Sequence, residues 1–188
     1  MNWNTIASDY LAVADQVLNQ LRPAVEALAV EITRRLKAGH KVMFCGNGGS
    51  AADAQHIAGE FLNRFLMERR PYAGLALSTD TSTLTSIGND YGFDQIFEKQ
   101  VQGLGQAGDM LMVISTSGNA ANVVRAVNAA RAMDIYTVAL TGGTGGQMAA
   151  LVDCHLNLSC TTSTPRIQEG HQLLYHLLCE RLEELMEG

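Results

Sequence analysis

The chain has 188 residues, of which 47% are hydrophobic and 17% charged, a balance unlike that of a disordered chain. Its 13 basic and 19 acidic residues give a net charge of −6, which argues against nucleic acid as a partner. No apolar stretch reaches the roughly 20 residues of a membrane span and the first residues carry no signal peptide, so we expect no membrane partner and a cytoplasmic location.

The first forty residues are predicted to form two helices. Apolar side chains recur at helical spacing up to Leu21. Pro23 then suits the first turn of a second helix, which stops at Gly39. We interpret residues 1–40 as a helical N-terminal extension packed on the rest of the chain.

After residue 40, short apolar runs alternate with helical stretches. This alternation is typical of βαβ units with a parallel sheet. Strands are predicted at Val42–Cys45, Leu75–Leu77, Met110–Ile114, Ile135–Leu140 and, near a sheet edge, Cys154–Leu158. Helices are predicted near 50–67, 81–87, 93–104, 119–133, 146–151 and, as a long amphipathic closing helix, 165–186. The pattern predicts one α/β domain over residues 1–188, with three αβα layers around a five-stranded parallel sheet.

Three of the predicted strands run into turns rich in glycine and small polar residues. The turns are Gly46–Ser50, Ser115–Asn119 and Thr141–Gly146. Ligands of open α/β sheets bind beyond the carboxyl ends of the strands, and helix N-termini there attract phosphate. One such turn alone is more simply an ordinary connection, but three at the same sheet edge favour a phosphate-binding crevice.

Two helices carry polar residues on a shared face. His56 and Glu60 are four residues apart, a spacing that suits a proton-transfer pair or two metal ligands. On the last helix, Gln168, Gln172 and His176 follow at intervals of four. The alternatives are a solvated helix face for the first pair and a half-buried, hydrogen-bonded histidine for the second set.

Several ordered motifs of the chain resemble one known family. They are Cys45–Ser50, Asp53–His56 with Glu60, Gly88–Asp90, Ile114–Asn119, and Arg166–Glu169 followed by His171. Together they resemble the sugar isomerase (SIS) domain family, and within it the phosphoheptose isomerases, over nearly the whole chain. The resemblance implies a flavodoxin-like SIS fold and the conversion of sedoheptulose 7-phosphate to D-glycero-D-manno-heptose 7-phosphate, the first step toward the heptose of lipopolysaccharide.

The resemblance also implies the site residues. Substrate contacts are expected at Asn47, Gly48, Gly49, Ser50, Glu60, Asn89, Asp90, Ser115, Thr116, Ser117 and Gln168. One zinc ion per subunit is expected on His56, Glu60, Gln168 and His176. Glu60 and His176 are also expected to act as the acid/base pair of an enediol mechanism, and their two roles, base and ligand, remain alternatives.

The resemblance further implies a sugar-phosphate substrate and a homotetramer whose active sites lie between subunits, with the last helix meeting the Glu60 helix of a neighbour. Two positions depart from the pattern: Ala120 replaces a frequent serine near the phosphate, and Pro165 replaces an aspartate found in several relatives.

Two other functions remain open. One is a non-catalytic SIS protein that binds the replication initiator DnaA, which Glu60 argues against, and the other is isomerisation of a different sugar phosphate.

Overall fold

The computed structural model describes all 188 residues. The α-helices are α1 (Trp3–Asp15), α2 (Arg22–Lys37), α3 (Gly49–Leu62), α4 (Thr81–Asp90), α5 (Glu98–Leu104), α6 (Ala121–Ala132) and α7 (Thr164–Glu187). The strands are β1 (Val42–Gly46), β2 (Gly74–Ala76), β3 (Met110–Ile114), β4 (Tyr136–Gly142) and β5 (Cys154–Leu158). A π-helical segment, Gln16–Gln20, joins α1 to α2, and short 3-10 helices lie at Phe93–Gln95 and Gly146–Ala150.

The five strands form one parallel sheet in the order β2-β1-β3-β4-β5, which confirms the predicted fold class. Every residue of β1 and β3 is buried, because helices cover both faces of the sheet, and this explains their uninterrupted apolar sequences. Strand β5 lies at a sheet edge, as its alternating sequence indicates. The strand order reverses direction between β1 and β3, and such a switch point opens a crevice at the carboxyl ends of the two strands.

Two hydrophobic cores lie on the two faces of the sheet. One core joins α1, α2, α3 and α7 through residues such as Val13, Ile32, Ile57 and Leu174. The other joins α5 and α6 to the opposite face, with Val127 among its buried residues. The helical N-terminal segment packs against α7, and α2 also contacts β5 and, through Arg35, Tyr136 of β4. None of the helices combines the length and apolar character that crossing a bilayer requires.

The helix predicted over residues 50–67 ends earlier, at Leu62. The guanidinium of Arg69 donates to the carbonyl oxygens of Glu60 and Phe61, at 2.7 and 3.1 Å, and so takes the acceptors that another helical turn would use. Glu183 of α7 accepts the backbone N–H groups of residues 65–67 at 2.8–2.9 Å. The ion pair between Arg69 and Glu183, which lie far apart in the sequence, therefore fixes the end of α3.

Candidate active site

The first two Gly- and Ser-rich turns meet at the switch point between β1 and β3. The side-chain amides of Asn47 and Asn122 exchange two hydrogen bonds, of 2.8 and 2.9 Å, that tie the first turn to α6. Gly48 precedes α3 and Ala120 precedes α6, and neither supplies a side-chain cap. In α3 only the first N–H group, that of Gly49, is left without a backbone acceptor, whereas α6 leaves its first two, and these N–H groups are available to an anionic ligand.

The third turn packs against the second. The N–H of Gly142 donates to Thr116 at 3.1 Å, and the backbone of Gly118, at φ +64°, lies so close to Gly145 that no side chain fits there. A cavity of about 320 Å³ opens between these turns and the start of α7. Its polar lining consists of the hydroxyl groups of Thr116, Ser117, Thr144, Thr162 and Thr164. The three turns lie together, as the sequence predicts.

The predicted contact residues of these turns differ in accessibility. Gly48, Gly49 and Ser117 are exposed, whereas Ser50 and Ser115 are buried, at 4% and 7% exposure. The Asn47 amide is engaged with Asn122 as described above. Among the predicted contacts of these turns, the Ser117 hydroxyl is consequently exposed and the Thr116 hydroxyl half-buried, and exposed backbone groups lie beside them.

Helices α3 and α7 of the same chain bring three predicted residues together. His56 Nε2 lies 2.9 Å from Glu60 Oε1, and His176 Nε2 lies 3.4 Å from His56 Nε2. The Phe65 ring stacks on His176 with a centroid distance of 5.6 Å. His176 therefore reaches the Glu60 helix within one chain, and no neighbouring subunit is needed for that contact.

Burial lowers the pKa of His176, and the nearby His56 lowers it further, although Glu60 opposes both effects. His176 is consequently neutral near pH 7 and carries a lone pair on one ring nitrogen. A neutral imidazole beside a carboxylate can accept a proton, return it, or bind a metal ion.

Behind His56 lie two residues that the sequence did not single out for this position. The Tyr175 hydroxyl is 3.2 Å from Nδ1 of His56 and 3.3 Å from Oδ1 of Asp53. Burial raises the pKa of Asp53, while Tyr175 and His56 lower it by smaller amounts. Tyr175 sits in the apolar stripe of α7 and Asp53 one turn before His56, so only the packing of α3 on α7 reveals the contact.

Gln168 is not brought to the other predicted metal ligands. Its side-chain amide lies against Gly49, which has no Cβ and so leaves space for it. Eight residues separate Gln168 from His176, about 12 Å along the helix axis. Gln168 instead borders a polar cavity of about 270 Å³ with Gly49, Asp53, Pro165, Glu169 and Gln172.

Asn89 and Asp90 lie at the C-terminal end of α4. Both residues are exposed, and the Asn89 amide donates to the Asp90 carboxylate at 2.8 Å. Neither residue borders the two cavities or is hydrogen-bonded to another predicted site residue. Their predicted substrate contact thus finds no support within a single chain.

Two potential ligand atoms, Glu60 Oε1 and His176 Nε2, each lie close to a third, His56 Nε2. No three His, Cys, Asp or Glu side chains are arranged around one point as a complete metal site. The separations of 2.9 and 3.4 Å nevertheless resemble those between ligand atoms of a tetrahedral ion with bonds of about 2.0–2.1 Å, for which simple geometry gives about 3.3 Å. The two separations and the oxygen and nitrogen donors are thus compatible with ligands of one metal ion.

A parallel sheet with a glycine- and hydroxyl-rich crevice at its switch point is an architecture of proteins that bind phosphorylated ligands. A model of the SIS domain family matches residues 7–142. The chain belongs to the SIS domain family, in agreement with its motifs.

Within this family, phosphoheptose isomerases are the similar proteins. The enzyme of Nitratidesulfovibrio vulgaris (strain Miyazaki F) is 53% identical over 180 residues, which cover 96% of this chain and 86% of the relative. The enzyme of Rhodospirillum rubrum is 51% identical over 169 residues, covering 90% and 89%. These relatives confirm the resemblance that the motifs indicate.

Solved structures of phosphoheptose isomerases are also similar to this chain. Phosphoheptose isomerase GmhA from Neisseria gonorrhoeae has a TM-score of 0.87 and 46% identity, with 96% of each chain covered. A phosphoheptose isomerase from Francisella tularensis has a TM-score of 0.92 and 38% identity, again with 96% of each chain covered.

Proposed function

We propose that this chain is a phosphoheptose isomerase that interconverts sedoheptulose 7-phosphate and D-glycero-D-manno-heptose 7-phosphate. The observation that carries the proposal is the agreement with phosphoheptose isomerases at about half identity over nearly the whole chain. The site geometry supports it, because Glu60 and His176 both lie against His56, on the two helices α3 and α7 that begin at the crevice of Gly- and Ser-rich turns.

An aldose–ketose isomerisation moves a proton between two carbons. One proton leaves C1 of the ketose and one is added to the C2 oxygen, which gives an enediol. A proton then leaves the C1 hydroxyl and one is added to C2, so that the aldose forms with no net change in protons. The reaction needs one group that takes the carbon-bound proton and a second that serves the oxygens.

Glu60 and His176 supply these two groups in our proposal. The Glu60 carboxylate is the base at carbon, since it lies 2.9 Å from His56 Nε2 and keeps 23% side-chain exposure toward solvent. His176 is neutral near pH 7 and can pass a proton between the two oxygens. His56 Nε2 lies 2.9 Å from the Glu60 carboxylate and 3.4 Å from His176 Nε2. The two proposed groups are therefore close enough to move protons on the same substrate molecule.

The phosphate is proposed to lie at the switch point. The uncapped N-termini of α3 and α6 and the accessible Ser117 hydroxyl provide donors there without a cationic side chain. The polar cavity beside Gln168 then lies between the phosphate end and Glu60, where sugar hydroxyls need partners. Gln168 acts as a substrate contact in this arrangement.

In the alternative role of these residues, a divalent ion, proposed to be zinc, would be held by His56, Glu60 and His176. It would polarise the sugar carbonyl and stabilise negative charge on the oxygens when bound. Gln168 becomes a fourth ligand only if it leaves Gly49. The separations of the three other ligand atoms support this assignment.

The proposed assembly is a homotetramer acting in the cytoplasm, where its product would lead to the heptose of lipopolysaccharide. The support is an unusual number of exposed large apolar side chains near the N-terminus and after α3. They include Trp3, Tyr10, Leu11, Leu18, Leu62, Leu66 and Met67. Burial of such residues between subunits is a common reason for their presence on a surface.

Incubation with sedoheptulose 7-phosphate tests the proposed function. Purified protein, with and without added zinc, should form the aldose, followed by NMR of the sugar carbons. Ribulose 5-phosphate and fructose 6-phosphate serve as comparison ketoses, and turnover of one of these alone would contradict the substrate. Absence of turnover on all three, beside an active control enzyme, would contradict the isomerase itself.

A further inference from the structure

The hydroxyl group of Tyr175 lies between Asp53 and His56. Its oxygen is 3.3 Å from Asp53 Oδ1 and 3.2 Å from His56 Nδ1. Tyr175 is fully buried, so its hydroxyl depends on protein groups for hydrogen bonds. The isomerisation proposed above uses the opposite nitrogen, His56 Nε2, and assigns nothing to this contact.

The phenolic proton can serve only one of the two neighbours at a time. A carboxylate accepts hydrogen bonds and donates none, whereas Nδ1 of an imidazole can do either. If Tyr175 donated to His56, the oxygen of Asp53 would face a phenolic lone pair. In the opposite arrangement all three of these atoms are paired: Tyr175 donates to Asp53 Oδ1, and the Nδ1–H of His56 donates to the Tyr175 oxygen.

We infer that Tyr175 and Asp53 are positioning residues that keep a proton on Nδ1 of His56 and so leave its Nε2 lone pair aimed at Glu60 and His176. The second ring nitrogen of a functional histidine is commonly fixed in this way by a carboxylate or hydroxyl partner. The Tyr175 ring also meets His56 edge-on, with centroids 5.4 Å apart, which restricts rotation of the imidazole.

This inference rests on the proposed isomerase site, yet it makes a separate claim about His56. The consequence is that the lone pair of His56 Nε2 faces Glu60 Oε1 at 2.9 Å and His176 Nε2 at 3.4 Å, so that a proton or a metal ion is needed between these acceptors. Loss of the Tyr175 hydroxyl should therefore weaken metal binding and slow turnover without changing phosphate binding, because the Gly- and Ser-rich turns do not contact Tyr175.

Tyr175→Phe is the direct test, since it keeps the ring and removes only the hydroxyl. Tyr72→Phe is the matched control: Tyr72 is also buried, at 2% exposure, and its hydroxyl also contacts a carboxylate, Glu187, at 3.1 Å. Both variants and the wild type are labelled with 15N-histidine, and the His56 signal is assigned from its loss in His56→Gln. Zinc affinity is measured by competition with a chromophoric chelator, and kcat and KM are measured separately.

The wild type and Tyr72→Phe should show the ring proton on Nδ1 of His56, whereas Tyr175→Phe should lose that preference. Zinc affinity of Tyr175→Phe should fall by about 10- to 100-fold, with a lower kcat and an unchanged KM. A wild-type proton on Nε2 instead, or equal zinc affinity in both tyrosine variants, would overturn the inference.

Asp53→Asn provides a second variant if Tyr175→Phe does not fold. The amide is a weaker acceptor than the carboxylate, so the same losses should appear in smaller measure, and wild-type zinc affinity and NMR signals in this variant would overturn the role of Asp53. A wild type that fails to isomerise the heptose phosphate would contradict the proposed function, whereas the position of the His56 proton is read without any turnover.

Discussion

Glu183→Gln should destabilise the protein strongly, although the two side chains have nearly the same shape. Glu183 accepts three backbone N–H groups at 2.8–2.9 Å and pairs with Arg69 at 2.7 Å. Both side chains of the pair are only 2% exposed. Breaking a buried ion pair by removing one charge costs about 3–5 kcal/mol. For a chain of this length that corresponds to a fall in Tm of about 6–20 °C.

Glu184→Gln is a matched control on the next residue of the same helix. Glu184 pairs with Arg181, but its side chain is 56% exposed, so its loss should cost at most about 1 kcal/mol. Thermal and denaturant unfolding of the two variants and the wild type, at equal protein concentration, measure the difference. Equal stability of Glu183→Gln and Glu184→Gln would refute the idea that the buried pair ends α3 and holds residues 65–67.

The same pair predicts how stability depends on pH. Burial alone would raise the pKa of Glu183, but the N–H groups of residues 65–67 and Arg69 together lower it below its ordinary value. A carboxyl with a depressed folded-state pKa contributes stability above its unfolded pKa, about 4.3, and loses it as the pH falls further. The gap between wild type and Glu183→Gln should therefore be constant from pH 7 to about 5 and shrink below about 4. An equal gap at pH 3 and pH 7 would contradict this.

Three further predictions concern the crevice and the assembly. Ala120→Ser adds a hydroxyl donor beside the uncapped N-terminus of α6 and should lower KM, which kinetics measure; an unchanged KM would contradict the position of the phosphate. Ser117→Ala should raise KM by about 10- to 100-fold through loss of a hydrogen bond to a charged group, whereas exposed Ser8→Ala on α1 should not; equal KM values would place the phosphate elsewhere. Light scattering should give a mass near four times the 20.2 kDa of one chain, and a mass of one chain at micromolar concentration would contradict the tetramer.

Local sequence was sufficient for most strands but not for the end of α3. Met110–Ile114 and Cys154–Leu158 form strands at the predicted residues. The first is a continuous apolar run and the second alternates apolar and polar residues, so the signal for each strand lies within its own sequence. The helical pattern through residues 63–67 is overridden by Arg69 and Glu183, and Glu183 lies more than 110 residues further along the chain. A contact of that range has no local signature.

The same distinction holds for the candidate site: contacts within one helix or at one sheet edge were predictable, and contacts between helices were not. His56 and Glu60 meet because four residues separate them on one helix, and the turns meet because parallel strands end at one edge. Tyr175 and Asp53 depend on how α3 packs on α7, which periodicity does not encode. The expected four-residue metal set, which the resemblance implied, included Gln168, and two helical turns separate this residue from His176.

The central claim is that this chain isomerises a heptose phosphate by proton transfer at Glu60. Its most direct test is the turnover of sedoheptulose 7-phosphate by the wild type, Glu60→Gln and the exposed control Glu68→Gln, whose side chain is 89% exposed. The wild type and the control should form aldose at equal rates, and Glu60→Gln should lose at least about 100-fold in kcat, because the amide keeps the shape but cannot act as a base. Near-normal turnover by Glu60→Gln would contradict the account.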